Sequence, residues 1–275
     1  MSWRQAGRRD MPAILDFLLR DEALCVPFTS RLRAGKRAFE LYYETDDRGA
    51  IVDCVLFTTT GLLLPVLTSA PERGLTGLLG SLNGVVHSIM GVGRCVTRAE
   101  ALLPVAPTTR IEYFLMSLQR AKRRGVLLPT DPRLRVRKAG PADAERLFQI
   151  QKDYELEEVV IDPNHFNDAQ CLRLLQHTLK EEVVYVVEMD GRPVAKAATN
   201  ARGYGIDQIG GVYTVPSLRG RGLARLAVAT LLAEIFQEKQ AACLFVKKRN
   251  RPAIALYDRL GFEPVSDYVI SYYGI

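Results

Sequence analysis

The sequence predicts an α/β protein: a mixed, twisted sheet with helices on both faces, built twice over by tandem duplication. Three observations lead there. The second half alternates strand-like and helix-like patterns in the order β-α-α-β-β-β-α-β-α-β. The chain repeats a motif at an offset of 133 residues, Arg4, Ala6, Gly7 and Asp10 against Arg137, Ala139, Gly140 and Asp143. A glycine-arginine turn, "LRGRGLA", stands between a strand and a long apolar helix.

Each element of the second half has its own signature. "RLRVRKAG" reads as a strand and "PADAERLFQIQKDYEL" as a helix, with Leu147, Ile150 and Tyr154 on one face. "DPNHFNDAQCLRLLQHTLKEE" is a loop and a second helix, whose Leu172, Leu175 and Leu179 align. "VVYVVEMDGRPVAKAAT" is a hairpin turning at Asp190-Gly191. "IDQIGGVYTV" is a strand, followed by the glycine-arginine turn and a helix to about Lys239. "ACLFVKK", "RPAIALYDRLGF" and "VSDYVISYY" close the half as strand, helix and strand.

The first half is less explicit. "AFELYYETDDRGAIVDCVLFTTTGLLLPVL" matches a hairpin and third strand, and "RIEYFLMSL" a late strand. "GLTGLLGSLNGVVHSIM" takes the place of the long helix despite its glycines. In both copies of the repeat, Asp10 or Asp143 sits where a carboxylate satisfies free N–H groups at a helix start. The basic, proline-bearing segment "RAKRRGVLLPTDPRL" divides the chain into a degenerate first domain, 1–128, and a second, 133–275. A duplicated chain would internalise an interface that a single-lobed relative makes as a dimer; the oligomeric state itself is open.

Composition narrows the function classes. The chain has 275 residues, 48% hydrophobic and 25% charged, with a net charge of +6. That balance supports a packed globular core, and the positive excess fits an anionic ligand. Five scattered cysteines form no C-x-x-C pair, so buried structural thiols are expected and no metal site. "MSWRQAGRRDMP" lacks the apolar core of a secretion signal. The longest apolar stretch, 50–69, is broken by Asp53, Gly61 and Pro65 and reads as strands rather than a membrane span. A cytoplasmic protein without membrane or nucleic-acid partners is expected. The arginines cluster at one turn with no interleaved aromatic platform, which disfavours nucleic-acid binding.

The turn itself is a phosphate cradle by construction. A helix N-terminus offers unpaired N–H groups, glycines let an anion approach the backbone, and arginines add charge. It is neither G-x-x-x-x-G-K-[ST] nor G-x-G-x-x-G, so it is not a nucleotide-hydrolysing loop or a dinucleotide fingerprint.

Arg219-x-x-Gly222-x-Ala224, after "VYTVP", resembles the acetyl-coenzyme A signature of the GNAT N-acetyltransferases. "NRPAIALYDRLGF" (250–262) resembles their second signature, Asn-x-x-Ala-x-x-Leu-Tyr-x-x-x-Gly-Phe. The resemblance covers about residues 133–275; the first half looks like a degenerate tandem copy. It implies an enzyme that moves an acetyl group from acetyl-coenzyme A to a small-molecule or peptide amine by direct attack, with no metal. By position, the backbone of Val212, Tyr213 and Thr214 would pair with the pantetheine amides. Arg219, Gly220, Arg221, Gly222, Leu223, Ala224 and Arg225 would hold the pyrophosphate. Asn250 would hydrogen-bond near the pantetheine, and Tyr257 would protonate the leaving thiolate. The position where some relatives carry a glutamate on the fifth strand is Phe245 here. Of the carboxylates that remain, Glu158 and Asp207 are the candidates for the acceptor and its proton. Lys247, Lys248, Arg249 and Arg251 would meet a phosphate or an acidic acceptor, or simply face solvent. The missing glutamate keeps a second reading open, a non-catalytic acyl-coenzyme A sensor.

Overall fold

The computed structural model describes residues 3–35, 38–68, 74–125 and 129–274. The first half runs β1 (Arg4–Gln5), α1 (Met11–Leu19), α2 (Val26–Ala34), β2 (Phe39–Thr45), β3 (Ile51–Thr58), β4 (Leu62–Leu67), α3 (Leu75–Ser81), β5 (Ser88–Val92), α4 (Gly93–Glu100) and β6 (Thr109–Gln119). The second runs β7 (Leu134–Ala139), α5 (Ala144–Tyr154), α6 (Asp168–Glu181), β8 (Val184–Met189), β9 (Arg192–Arg202), β10 (Ile206–Thr214), α7 (Leu223–Glu238), β11 (Ala241–Lys247), α8 (Arg251–Leu260) and β12 (Glu263–Tyr272). The two halves repeat the same order of strands and helices, which is the order expected from sequence for the second half.

The repeated motif has the same geometry in both copies. The Gly7 amide donates to Asp10 Oδ2 at 2.7 Å, and the Gly140 amide to Asp143 Oδ2 at 2.9 Å. Each carboxylate therefore reaches back to the glycine at the strand end, rather than forward to the helix amides as the sequence suggested. Arg137 clamps Asp143 with two nitrogens, at 2.7 and 3.0 Å, while Tyr43 donates to Asp10 at 3.0 Å.

All strands join one 12-stranded sheet in the order β1-β2-β3-β4-β5-β12-β6-β11-β10-β9-β8-β7. The order is a palindrome of the two halves with one exchange. The last strand of each half has crossed into the other: β12 pairs with β5, and β6 pairs with β11. The exchanged strands pair with each other from Glu263↔Ser117 to Tyr272↔Thr109. The expected boundary between 1–128 and 133–275 falls between β6 and β7, partly outside the described residues, and the halves on either side share this sheet.

Helices cover both faces, because successive strand residues point to opposite sides. In the second half, α7 and α8 bury Leu226, Leu231, Leu232 and Leu260 against Met116, Leu244 and Val246. On the other face, α5 and α6 bury Leu147, Ile150, Leu175 and Leu179 against Val184 and Val186. At the junction, Val26 of α2 packs on Leu115, Cys243 and Tyr268, which ties the halves through one core. All five cysteines are buried and free.

One element departs from expectation. The segment matched to the long helix is helical only over Leu75–Ser81, and its end, Ser88–Val92, is β5. Gly77 and Gly80 weaken the helix, and the Val85-Val86 pair after Gly84 favours extended chain.

Candidate functional site

A cavity of about 900 Å³ opens where β10 and β11 part. These strands are parallel and paired only at Ile206↔Ala241, Asp207↔Ala242 and Gln208↔Cys243. Beyond Gln208, a bulge between Gly210 and Tyr213 turns β10 away, and Gly211 adopts φ +59° there. Lys196 Nζ donates to Gly211 O at 2.8 Å and holds the bulge from beneath. The outer half of β10, with Val212, Tyr213 and Thr214, thus lines the gap without a neighbour on that side. A strand edge of this kind accepts an extended, amide-bearing ligand.

The cradle forms the mouth. Gly220 and Gly222 both lie at positive φ, +79° and +78°, in the turn before α7. A Cβ on Gly220 would enter open space, whereas one on Gly222 would lie 3.1 Å from Arg225 Nη2. No side chain caps α7, and its first turn holds no acidic residue. By contrast, Asn167 and Asn250 cap α6 and α8. The positive end of a 16-residue apolar helix is therefore presented to the cavity. Arg225 Nε and Thr214 Oγ1 are buried without a hydrogen-bond partner, as expected of groups awaiting an anion and a polar ligand. Gly220, Arg221, Leu223, Ala224 and Arg225 all line the cavity. Arg219 does so too, but its guanidinium is engaged. It meets Glu157 Oε2 at 2.6 Å and Thr214 O at 3.1 Å, and lies over the Tyr213 ring.

Tyr257 and Glu158 reach the same cavity from different elements. Tyr257 sits in the last turns of α8 and is buried. Burial, helped by the nearby Glu158 charge, raises its pKa, so the phenol stays protonated at neutral pH. Glu158 comes from a π-helical turn, Glu155–Val159, that continues α5. Such widened turns re-aim side chains that a regular helix would carry past. Lys247 Nζ holds Glu158 Oε2 at 3.1 Å, and Asn250 Nδ2 donates to Oε1 at 3.1 Å. Asn250 Oδ1 accepts from Ala253 N at 3.2 Å, so both ends of its amide are used within the protein. Asn250 lines the cavity, caps α8 and orients Glu158.

Asp207 does not join them. It lies at the closed end of the β10–β11 pair, 1% exposed and outside the cavity lining. Arg202 Nε reaches its Oδ2 at 3.3 Å and Lys239 Nζ its Oδ1 at 3.6 Å. A carboxylate so placed braces the β9–β10 turn and has no route to an acceptor. Phe245 faces the cavity in a stack with Tyr268, centroids 5.0 Å apart, and edge-on to Tyr113 at 5.3 Å. Lys248 pairs with Asp267 at 2.8 Å, while Arg249 and Arg251 are exposed at the end of β11 and the start of α8.

Sequence reasoning missed four contributors. Tyr113 lines the cavity although it belongs to the first half, and Ile270 and Tyr272 of β12 stand beside it. For Tyr113 it is the strand exchange, β6 against β11, that brings it there. Lys196 was also missed. It is buried and 4.4 Å from the Tyr154 ring centroid, and burial lowers its pKa to about 8.

The matching strand pair in the first half, β4 and β5, comes close at Gly91. β4 and β5 pair at Leu62↔Ser88 and Leu63↔Ile89. A Cβ on Gly91 would lie 3.3 Å from Pro65 O and 3.6 Å from Val96. The turn matching the cradle falls at 69–73, outside the described residues.

Residues 144–262 match the sequence model of the Acetyltransferase (GNAT) family. No curated protein sequence matches the chain. Among solved structures, a Drosophila protein aligns with a TM-score of 0.73 at 14% identity, covering 98% of both chains. A GCN5-related N-acetyltransferase from Sphaerobacter thermophilus aligns at 0.61 and 18% identity, over 99% of this chain and 96% of that one. A tandem GNAT protein from the clavulanic acid biosynthesis pathway aligns at 0.56 and 12% identity, over 98% of this chain and 97% of that one. At these identities the likeness is one of fold, and it extends over both halves.

Proposed function

We propose that this chain, whose residues 144–262 are an acetyltransferase domain of the GNAT family, transfers an acetyl group from acetyl-coenzyme A to an amine. The observation that carries the reading is a conjunction. An uncapped helix N-terminus behind a two-glycine turn, an unpaired strand edge, a protonated phenol and a held carboxylate all open on one cavity.

The amides of Gly220 to Arg225 and the Arg225 side chain would hold the pyrophosphate. Val212, Tyr213 and Thr214 would extend the sheet along the pantetheine. That aims the thioester at the apex of the gap, between the bulge and Tyr257. Glu158 would take the proton from the amine, directly or through water, as nitrogen attacks the thioester carbonyl. Tyr257 would donate its proton to the sulfur as the C–S bond breaks, so an amide and a free thiol leave. Lys247 and Asn250 fix the carboxylate for that step.

Replacing Tyr257 by Phe tests the assignment. We expect kcat to fall at least ~10-fold, measured as thiol release, with acetyl-coenzyme A affinity within about twofold. An unchanged rate would remove Tyr257 from the mechanism. A second reading, an acyl-coenzyme A sensor, is favoured by Phe245 standing where some relatives carry a glutamate. It predicts tight binding with no thiol release for any amine.

A further inference from the structure

The far wall of the cavity differs in character from the cradle. Phe245 points away from Leu244 and Val246, which α7 and α8 cover, and so faces the opposite side of the sheet. Tyr113, Ile270 and Tyr272 share that face, Tyr154 closes one end, and Val159 forms an apolar lip 44% exposed. The charged groups that reach this region are Glu158, Glu157 and Lys247, with Lys196 over the Tyr154 ring and Arg249 near Tyr113. Glu157 is paired with Arg219, and Lys247 is spent on Glu158. Burial raises the Tyr113 pKa, with Tyr272, Tyr154 and Glu158 near enough to add to it. Several phenol rings and one carboxylate thus converge.

Aromatic faces beside a carboxylate suit an ammonium, which the ring faces attract through their π electrons. A polyamine or polyhydroxylated acceptor would set some of its further polar groups against the Phe245 ring and Ile270, which offer them no hydrogen bond.

Resting on the acetyltransferase reading, we infer that the acceptor is a monoamine: one ammonium on an aromatic or aliphatic body, seated against Glu158 in a pocket that the first half completes through Tyr113. The N-terminal half is then part of the active site rather than a spent copy beside it.

The test is an acceptor panel with acetyl-coenzyme A: phenethylamine, hexylamine, ethanolamine, spermidine and glutamate. We expect kcat/KM for phenethylamine or hexylamine at least ~10-fold above the polar amines. Tyr113→Ala should raise the phenethylamine KM by about 10-fold while acetyl-coenzyme A affinity, read by calorimetry, stays within about twofold. If Tyr113→Ala does not fold, Tyr272→Ala and Tyr113→Phe give the same readout, with loss for the first and retention for the second. Preference for a polar or multiply charged amine, or an unmoved KM in these variants, overturns the inference and leaves the acetyltransferase reading standing. Binding of acetyl-coenzyme A with no turnover of any amine overturns both.

Discussion

Tyr257 and Lys196 are both buried ionisable side chains, and burial moves them in opposite directions. For Tyr257 the phenol is held above its usual value of 10. A general acid must be protonated to act, so the Tyr257-dependent rate should show no alkaline decline below about pH 10. A pH–rate profile of kcat checks this, and a descending limb near pH 8 that Tyr257→Phe abolishes would contradict it. For Lys196 the ammonium is disfavoured, with its pKa lowered to about 8 from 10.5. In the unfolded chain the group still binds its proton up to about pH 10.5, so between these values unfolding takes up a proton. Stability of the wild type relative to Lys196→Met should therefore rise from pH 8 to 10.5, by about 2–3 kcal/mol. Urea melts of both proteins at pH 7.5, 9 and 10 measure the difference. A constant or shrinking difference would show that Lys196 is not buried as an unfavourable cation.

At the scale of elements, the cradle and the split strand pair do the positioning. Gly222 and Gly220 hold a left-handed backbone that costs an ordinary residue about 1–2 kcal/mol. Gly220→Ala meets no neighbour, so its stability cost should be about 1 kcal/mol while the methyl fills space needed by the anion. Thermal melts and acetyl-coenzyme A titration of Gly220→Ala separate the two effects. This element was legible in the sequence because all its parts are local: strand, two glycines, three arginines and an apolar helix within about twenty residues. The second signature was legible for the same reason. Its individual roles were less so. For Asn250 the sequence does not announce the two hydrogen bonds its amide makes within the protein. Asp207 and Glu158 were read as equivalent carboxylates, because charge alone does not say which end of a strand a residue occupies. One lies at the closed end between two cations, and the other on a turn whose π geometry no residue pattern announces. The short α3 was misjudged because its apolar spacing suited a helix while its glycines did not.

At the scale of the molecule, the strand exchange decides most. The repeat at Arg4 and Arg137 made the duplication visible, but periodicity within a strand does not name its neighbours. Tyr113 was therefore invisible as a site residue until β6 was placed beside β11. Exchange makes the halves interdependent: residues 133–275 alone would leave β11 and β12 apart, with the core of Tyr268, Leu115 and Cys243 opened. The intact chain should melt in one transition by calorimetry, and the isolated segment 133–275 should not give a cooperative one. Two well-separated transitions in the intact chain would show independent halves.

The most direct test of the central claim is calorimetric titration of the intact chain with acetyl-coenzyme A, beside Gly222→Val. The open β10–β11 gap behind the cradle predicts one equivalent bound per chain with micromolar affinity, about −8 kcal/mol, and loss of binding in the variant. No binding by the wild type, or undiminished binding by Gly222→Val, would contradict it.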